Sequence, residues 1–198
     1  IFEIKNGKTI NEAVETSNKK IAKLNENLDV DYLENDYAGC VGIGGVIENK
    51  KLFYAFIADC GVCVFNSDGK LKFRTENEGP NSKGSIDKNI KEKYNLDFAQ
   101  PEGRKIIRSQ YRNNPNELLS YGAFTGEENA LHFVKNGDVE LLDGDFVLFY
   151  SDGMVPIVYS NEFNISEKFN ILENYFNEHL EKIDGSEGSL VAVSLEEN

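Results

Sequence analysis

The sequence predicts an α+β domain in which antiparallel strands are flanked by amphipathic helices. Two observations carry this. Between Val41 and Phe73, four short apolar runs are separated by tight turns, too closely spaced for crossover helices. On either side, Ile10 to Asn25 and Ile165 to Ile183 carry apolar residues at the 3.6 period of a half-buried helix. The 198 residues suit one domain with enough chain to bury a core, and 1–198 is read as a single unit. With 40% apolar and 28% charged residues, a disordered chain is excluded.

Taken in order, Ile10, Ala13, Val14, Ile21 and Leu24 define the apolar face of the first helix. Leu28 to Asp36 is acidic and loop-like. Val41 to Ile47 reads as a Gly-containing strand. Glu48 to Lys51 makes a turn, and Leu52 to Ala58 returns as the second strand. Val62 to Phe65 is the third, and Asn66-Ser67-Asp68-Gly69-Lys70 closes a hairpin onto Leu71-Lys72-Phe73. Gly42-x-Gly44-Gly45 lacks the third Gly and the following helix of a nucleotide-binding loop. From about 75 to 116 the character changes to a solvated insertion, with short helices at Ile86 to Tyr94 and Gly103 to Tyr111. It carries Arg104, Arg108 and Arg112, which as surface bases are expected in solvent. Leu119 to Gly126 and His132 to Val134 are expected to return to strands, with turns at Gly137-Asp138 and Asp143 to Asp145. Phe146 to Tyr150 is a central strand, Ser166 an N-cap for the second long helix, and Ser189 to Leu195 the closing strand.

The net charge of −13 disfavours nucleic acid and anionic membrane as partners. No apolar stretch approaches a membrane span, and no secretory signal is visible. Three cysteines, Cys40, Cys60 and Cys63, form no disulfide framework, so a reducing cytoplasmic setting is expected. Cys60-Gly61-Val62-Cys63 has C-x-x-C form, but no second ligand pair exists for zinc, and His132 and His179 lack metal spacing. Buried thiols acting as small hydrophobes are expected instead.

The most informative stretch is Gly144-Asp145-Phe146-Val147-Leu148-Phe149-Tyr150-Ser151-Asp152-Gly153-Met154. A Gly/Asp turn precedes a wholly apolar run, which ends abruptly in Ser-Asp-Gly. This reads as a buried strand delivering the carboxylate of Asp152 to its C-terminal mouth, with Gly153 leaving room beside it. A carboxylate so placed suits a hard divalent cation such as Mg²⁺ or Mn²⁺.

This Gly-Asp-strand-Ser-Asp-Gly block closely resembles the signature of PP2C-type (PPM family) metal-dependent protein phosphatases. Ala13 to Asn25 is similar to the family's first long helix, Leu52 to Phe65 with Ala58-Asp59-Cys60-Gly61 to its Ala-Asn-Val-Gly-Asp-Ser strand pair, and Ser120 to Gly126 to its Leu-Thr-x-x-Gly segment. The resemblance covers nearly the whole chain. It implies a four-layer α-β-β-α sandwich of two antiparallel sheets, with a flap at about 75–116. It implies two Mg²⁺ or Mn²⁺ ions and direct attack of a metal-bound water on a phosphoserine or phosphothreonine of a phosphoprotein substrate. Asp152 matches a metal-ligand position. The family's Asp near the C-terminus falls by spacing at Ser186, so Glu187 beside it is the second candidate. Arg104, Arg108 and Arg112 fall in the segment matching the flap.

The chain also departs from the pattern. The family's Asp-Gly-x-Gly-Gly loop, with further metal carboxylates and a phosphate-binding Arg, precedes the first long helix, whereas only nine residues stand before Ile10. Because the chain starts at Ile1 rather than Met, those groups are expected upstream. The Gly-Asp-Ser-Arg stretch is replaced by apolar Gly61-Val62-Cys63-Val64. The alternative expectation is a catalytically inactive PP2C-like pseudophosphatase or protein-interaction domain.

Overall fold

The structure, a computed structural model, describes residues 7–160 and 188–195 together with Asn174 and Asn177. The expected helix Ile165 to Ile183 and the candidate ligand Glu187 lie outside the described residues.

Helix α1 (Ile10–Leu28) begins where Thr9 and Glu12 close a capping box. The Thr9 amide donates to Glu12 Oε2 at 2.8 Å, and the Glu12 amide donates back to Thr9 Oγ1 at 3.3 Å. Asp29 ends the helix in the left-handed conformation. Its inner face carries Ala13, Asn18 and Asn25, all buried.

Among the described residues there are two antiparallel sheets. Strands β1 (Gly42–Glu48), β2 (Lys51–Ile57) and β5 (Lys135–Glu140) form the first, in the order β1-β2-β5. Asn49 and Lys50 join β1 to β2 with positive φ at both positions, the turn whose twist matches a hairpin. Strands β3 (Gly61–Phe65), β4 (Leu71–Arg74), β6 (Phe146–Tyr150) and β7 (Leu190–Ser194) form the second, in the order β4-β3-β6-β7.

The sheets face each other across Leu52 of β2, Val62 and Val64 of β3, Val147 of β6, and Leu141. Cys63 and Phe65 of β3 and Leu148 and Tyr150 of β6 point the other way, against Met154, Ile157 and Val158. The last two belong to the short helix α4 (Val155–Val158). Helix α1 packs on β1 and β2. The layers therefore run helix, sheet, sheet, helix, as the resemblance implies. Burial on both faces explains why β3 and β6 read as unbroken apolar runs.

Three local expectations are corrected. Ser120 to Gly126 is not a strand, although Tyr121 and Phe124 make isolated bridges to Arg112 and Cys40. Its backbone groups are met largely by asparagine side chains. Asn113 bonds both polar groups of Ala123, Asn25 takes the Thr125 carbonyl, and Asn18 accepts from the Gly126 amide. His132 and Phe133 lie in a 3₁₀ turn (Glu128–Phe133), and Gly137-Asp138 sits inside β5 rather than in a turn.

The segment after β4 carries helices α2 (Ile86–Tyr94) and α3 (Pro101–Ile106), the latter running into a π-helical turn (Ile107–Tyr111). Ile86, Ile90 and Tyr111 form a small core of their own there. Among the described residues, no helix is long and apolar enough to cross a membrane.

Candidate active site

The exit of β6 is fixed by Ser151. Its amide donates to the Ser189 carbonyl at 3.0 Å, its hydroxyl accepts from the Ser189 amide at 2.8 Å, and its carbonyl accepts from the Met154 amide at 3.0 Å. The chain thereby turns sharply into a 3₁₀ turn (Asp152–Met154), and Asp152 leaves the sheet at the strand mouth, as its sequence context predicts.

Strand β3 runs antiparallel beside β6, with Gly61 opposite Tyr150. Asp59, two residues before β3, and Asp152, two residues after β6, therefore leave the same end of the strand pair, near enough for the charge of Asp152 to act on Asp59. Asp59 was not singled out from the sequence as a ligand. It is presented by an unusual backbone: Ala58, buried, has φ of 64°, and its carbonyl accepts from the Glu78 amide at 3.1 Å. Gly79 lies directly against the carboxylate, so close that a Cβ there would stand 2.8 Å from Asp59 Cγ. Burial raises the Asp59 pKa; its own backbone hydrogen bond opposes this, and the charge of Asp152 adds to it. The apolar Gly61 to Val64 stretch therefore does not deprive the site of an acid, which stands two residues earlier. The signal that could have found it is the antiparallel pairing of β3 with β6, which no local motif reveals.

Cys60 lies between the two carboxylates and the core. Burial pushes its thiol up to about 12, although the Asp152 backbone hydrogen-bonds to it, and the Asp59 and Asp152 charges push the same way. Cys60 and Cys63 are both free and buried, in keeping with their reading as small hydrophobes.

The three arginines come together, one of them exposed and one buried. Arg104, Arg108 and Arg112 line one cavity of about 310 Å³ with Asp36, Asn81, Asp87, Phe98 and Tyr121. The expectation that these bases are solvated holds for Arg104 and fails for Arg108, whose side chain is 4% exposed. The acidic loop before β1 covers them. Arg112 Nη2 meets Asp36 Oδ1 at 2.6 Å, and Arg108 Nη1 lies 3.5 Å from the same oxygen. Arg112 Nε also donates to the Tyr32 hydroxyl at 3.1 Å, and Arg108 Nη2 donates to the Leu33 carbonyl. Burial raises the Asp36 pKa, but Arg112 and Arg108 outweigh it and hold the carboxyl below its usual value.

The cavity adjoins the carboxylate pair. Pro80 and Asn81 line it, while Gly79, next in the chain, contacts Asp59. Tyr121 lines it too, and its hydroxyl pKa, raised first by burial, also responds to the charges of Arg112, Asp36, Arg104 and Asp59.

Solved structures share this architecture. The serine/threonine phosphatase PstP/Ppp of Mycobacterium tuberculosis is 18% identical, with a TM-score of 0.56 over 94% of this chain and 71% of that one. The PstP catalytic domain in complex with two manganese ions is 19% identical, with a TM-score of 0.53 over 94% of this chain and 70% of that one. PppA, a key regulatory component of T6SS in Pseudomonas aeruginosa, is 12% identical, with a TM-score of 0.57 over 91% of this chain and 66% of that one. No protein-family profile and no curated protein matches the sequence. The chain has the PP2C-like fold of these phosphatases: α+β, with two antiparallel sheets and flanking helices.

The donor chemistry of the Asp59–Asp152 pair fits a hard divalent cation. Two carboxylates leave the same end of a strand pair near enough for their charges to interact, and a cation bound there would offset both their repulsion and the cost of burial. Among the described residues, no group of three or more His, Cys, Asp or Glu is placed to hold a metal ion. Glu187, the other candidate, lies outside the described residues.

Proposed function

We propose that this chain is a metal-dependent phosphoprotein phosphatase, hydrolysing phosphoserine or phosphothreonine esters at the mouth of β3 and β6. The observation that carries the reading is that Asp59 and Asp152 come together where β3 begins and β6 ends, in the PP2C-like fold. Asp152 and Asp59 would hold Mg²⁺ or Mn²⁺, with Glu187 as a further candidate ligand. When bound, such an ion lowers the pKa of a coordinated water and neutralises charge on the phosphoryl group. The protein's part is positional. Ser151 fixes the angle at which Asp152 leaves β6, and the Gly79 contact fixes Asp59. The arginine cavity supplies positive charge next to the centre in a chain whose overall charge is −13.

The test is hydrolysis of p-nitrophenyl phosphate with Mn²⁺ or Mg²⁺, its loss in EDTA, and its abolition in Asp152→Asn with the fold retained. Full activity in that variant overturns the reading. A second reading, a PP2C-like interaction domain without catalysis, draws on the carboxylate pair alone: two ligands are few for an ion that takes six. It predicts a folded wild type with no metal-dependent turnover.

A further inference from the structure

We propose that the arginine cavity is an oxyanion subsite, which takes a second anionic group of the peptide substrate beside the phosphoester being cleaved. The link to substrate rests on the phosphatase reading; the site itself stands on geometry.

Three guanidinium groups line the cavity against two carboxylates, Asp36 and Asp87. Asp36 engages Arg112 closely and Arg108 at 3.5 Å. That leaves donors unmet. Arg108 is buried, and its Nε has no hydrogen-bond partner. A buried N–H without an acceptor is uncommon and calls for one. Arg104 is exposed at the rim, and its side chain makes no hydrogen bond or ion pair among the described residues. A guanidinium presents a planar fork of donors, which matches the paired oxygens of phosphate or carboxylate. Arg108 is carried by a π-helical turn, a distortion that recurs at functional sites.

The position of the cavity fits a substrate role. The Gly79-Pro80-Asn81 loop touches Asp59 on one side and lines the cavity on the other. Phe98 adds an apolar wall, 44% exposed, against which a side-chain stem can lie. A peptide with its phosphoester at Asp59 and Asp152 would pass this loop, and an anionic neighbouring side chain would meet Arg104 first.

The experiment titrates inorganic phosphate into the protein in EDTA, followed by amide chemical shifts. Without a cation, Asp59 and Asp152 repel phosphate, so binding reports the arginines. Wild type is expected to bind. Arg104→Ala should bind about tenfold more weakly, through the loss of one charge-assisted contact. Arg104→Lys should recover part of that loss, and Asp152→Asn should bind as wild type. No binding by wild type, equal binding by Arg104→Ala, or shifts that disappear with Asp152→Asn overturn the subsite. Acetate run in parallel identifies the group: competition by acetate assigns a carboxylate side chain, and binding of phosphate alone assigns a second phosphoryl group. Because the assay contains no metal and no ester, its outcome is independent of turnover. Loss of the subsite leaves the phosphatase reading standing, and a wild type without turnover leaves the subsite standing.

Discussion

Replacing Asp59 by Asn should stabilise the metal-free protein and destabilise the metal-loaded one relative to wild type. Asp59 and Asp152 stand two residues beyond the paired strand ends Gly61 and Tyr150, near enough for their charges to interact. Like charges so placed cost roughly 0.2–1 kcal/mol. Asn keeps the shape and an acceptor for the local backbone bond, and removes the charge. For a chain of this length each kcal/mol moves Tm by about 2–4 °C, so the variant should melt up to about 4 °C above wild type in EDTA. With Mn²⁺ at a hundred times its Kd, wild type gains about 2.7 kcal/mol, or about 5–10 °C. The variant, having lost a ligand, should gain little. The two melting curves therefore change order when the cation is added. The assay is differential scanning calorimetry with and without Mn²⁺, repeated for Asp152→Asn, which should behave the same way. An Asp59→Asn protein that melts below wild type in EDTA would refute a repulsion between the two carboxylates. One that keeps the full Mn²⁺ shift would remove Asp59 from the site.

Two further outcomes are expected. Asn25→Ala removes two bonds from Nδ2, to Ala38 O and Thr125 O, and one to Oδ1 from the Ala38 amide, each 2.8 Å long. It should cost about 2–3 kcal/mol, measured by denaturant titration; a loss below about 0.5 kcal/mol contradicts that role. At pH 8 a thiol reagent should label Cys40, which is exposed, in the native protein. Cys60 and Cys63, both buried with thiols raised to about 12, should react only after unfolding. Rapid native labelling of all three contradicts the packing.

The sequence by itself determined the pieces whose physics is local. Thr9 and Glu12 cap α1 through their own side chains. Phe146 to Tyr150 reads as a buried strand because apolar side chains fill both faces, and Ser151-Asp152-Gly153 marks its mouth. The four-layer sandwich came from the resemblance of the Ser-Asp-Gly block to the PP2C signature, which the order of the elements strengthened. Where backbone partners come from afar, the sequence was silent or misleading. Ser120 to Gly126 has strand-like composition, yet its polar groups are met by Asn18, Asn25 and Asn113, and no strand forms. Asp59 gained meaning only when β3 paired with β6 and brought it near Asp152. Arg108 reads as a surface base on a short helix; only the folding of Leu33 and Asp36 over it turned it into a buried donor. Local propensity can be read from neighbours in the chain, whereas the meeting of two charges depends on contacts between residues tens of positions apart.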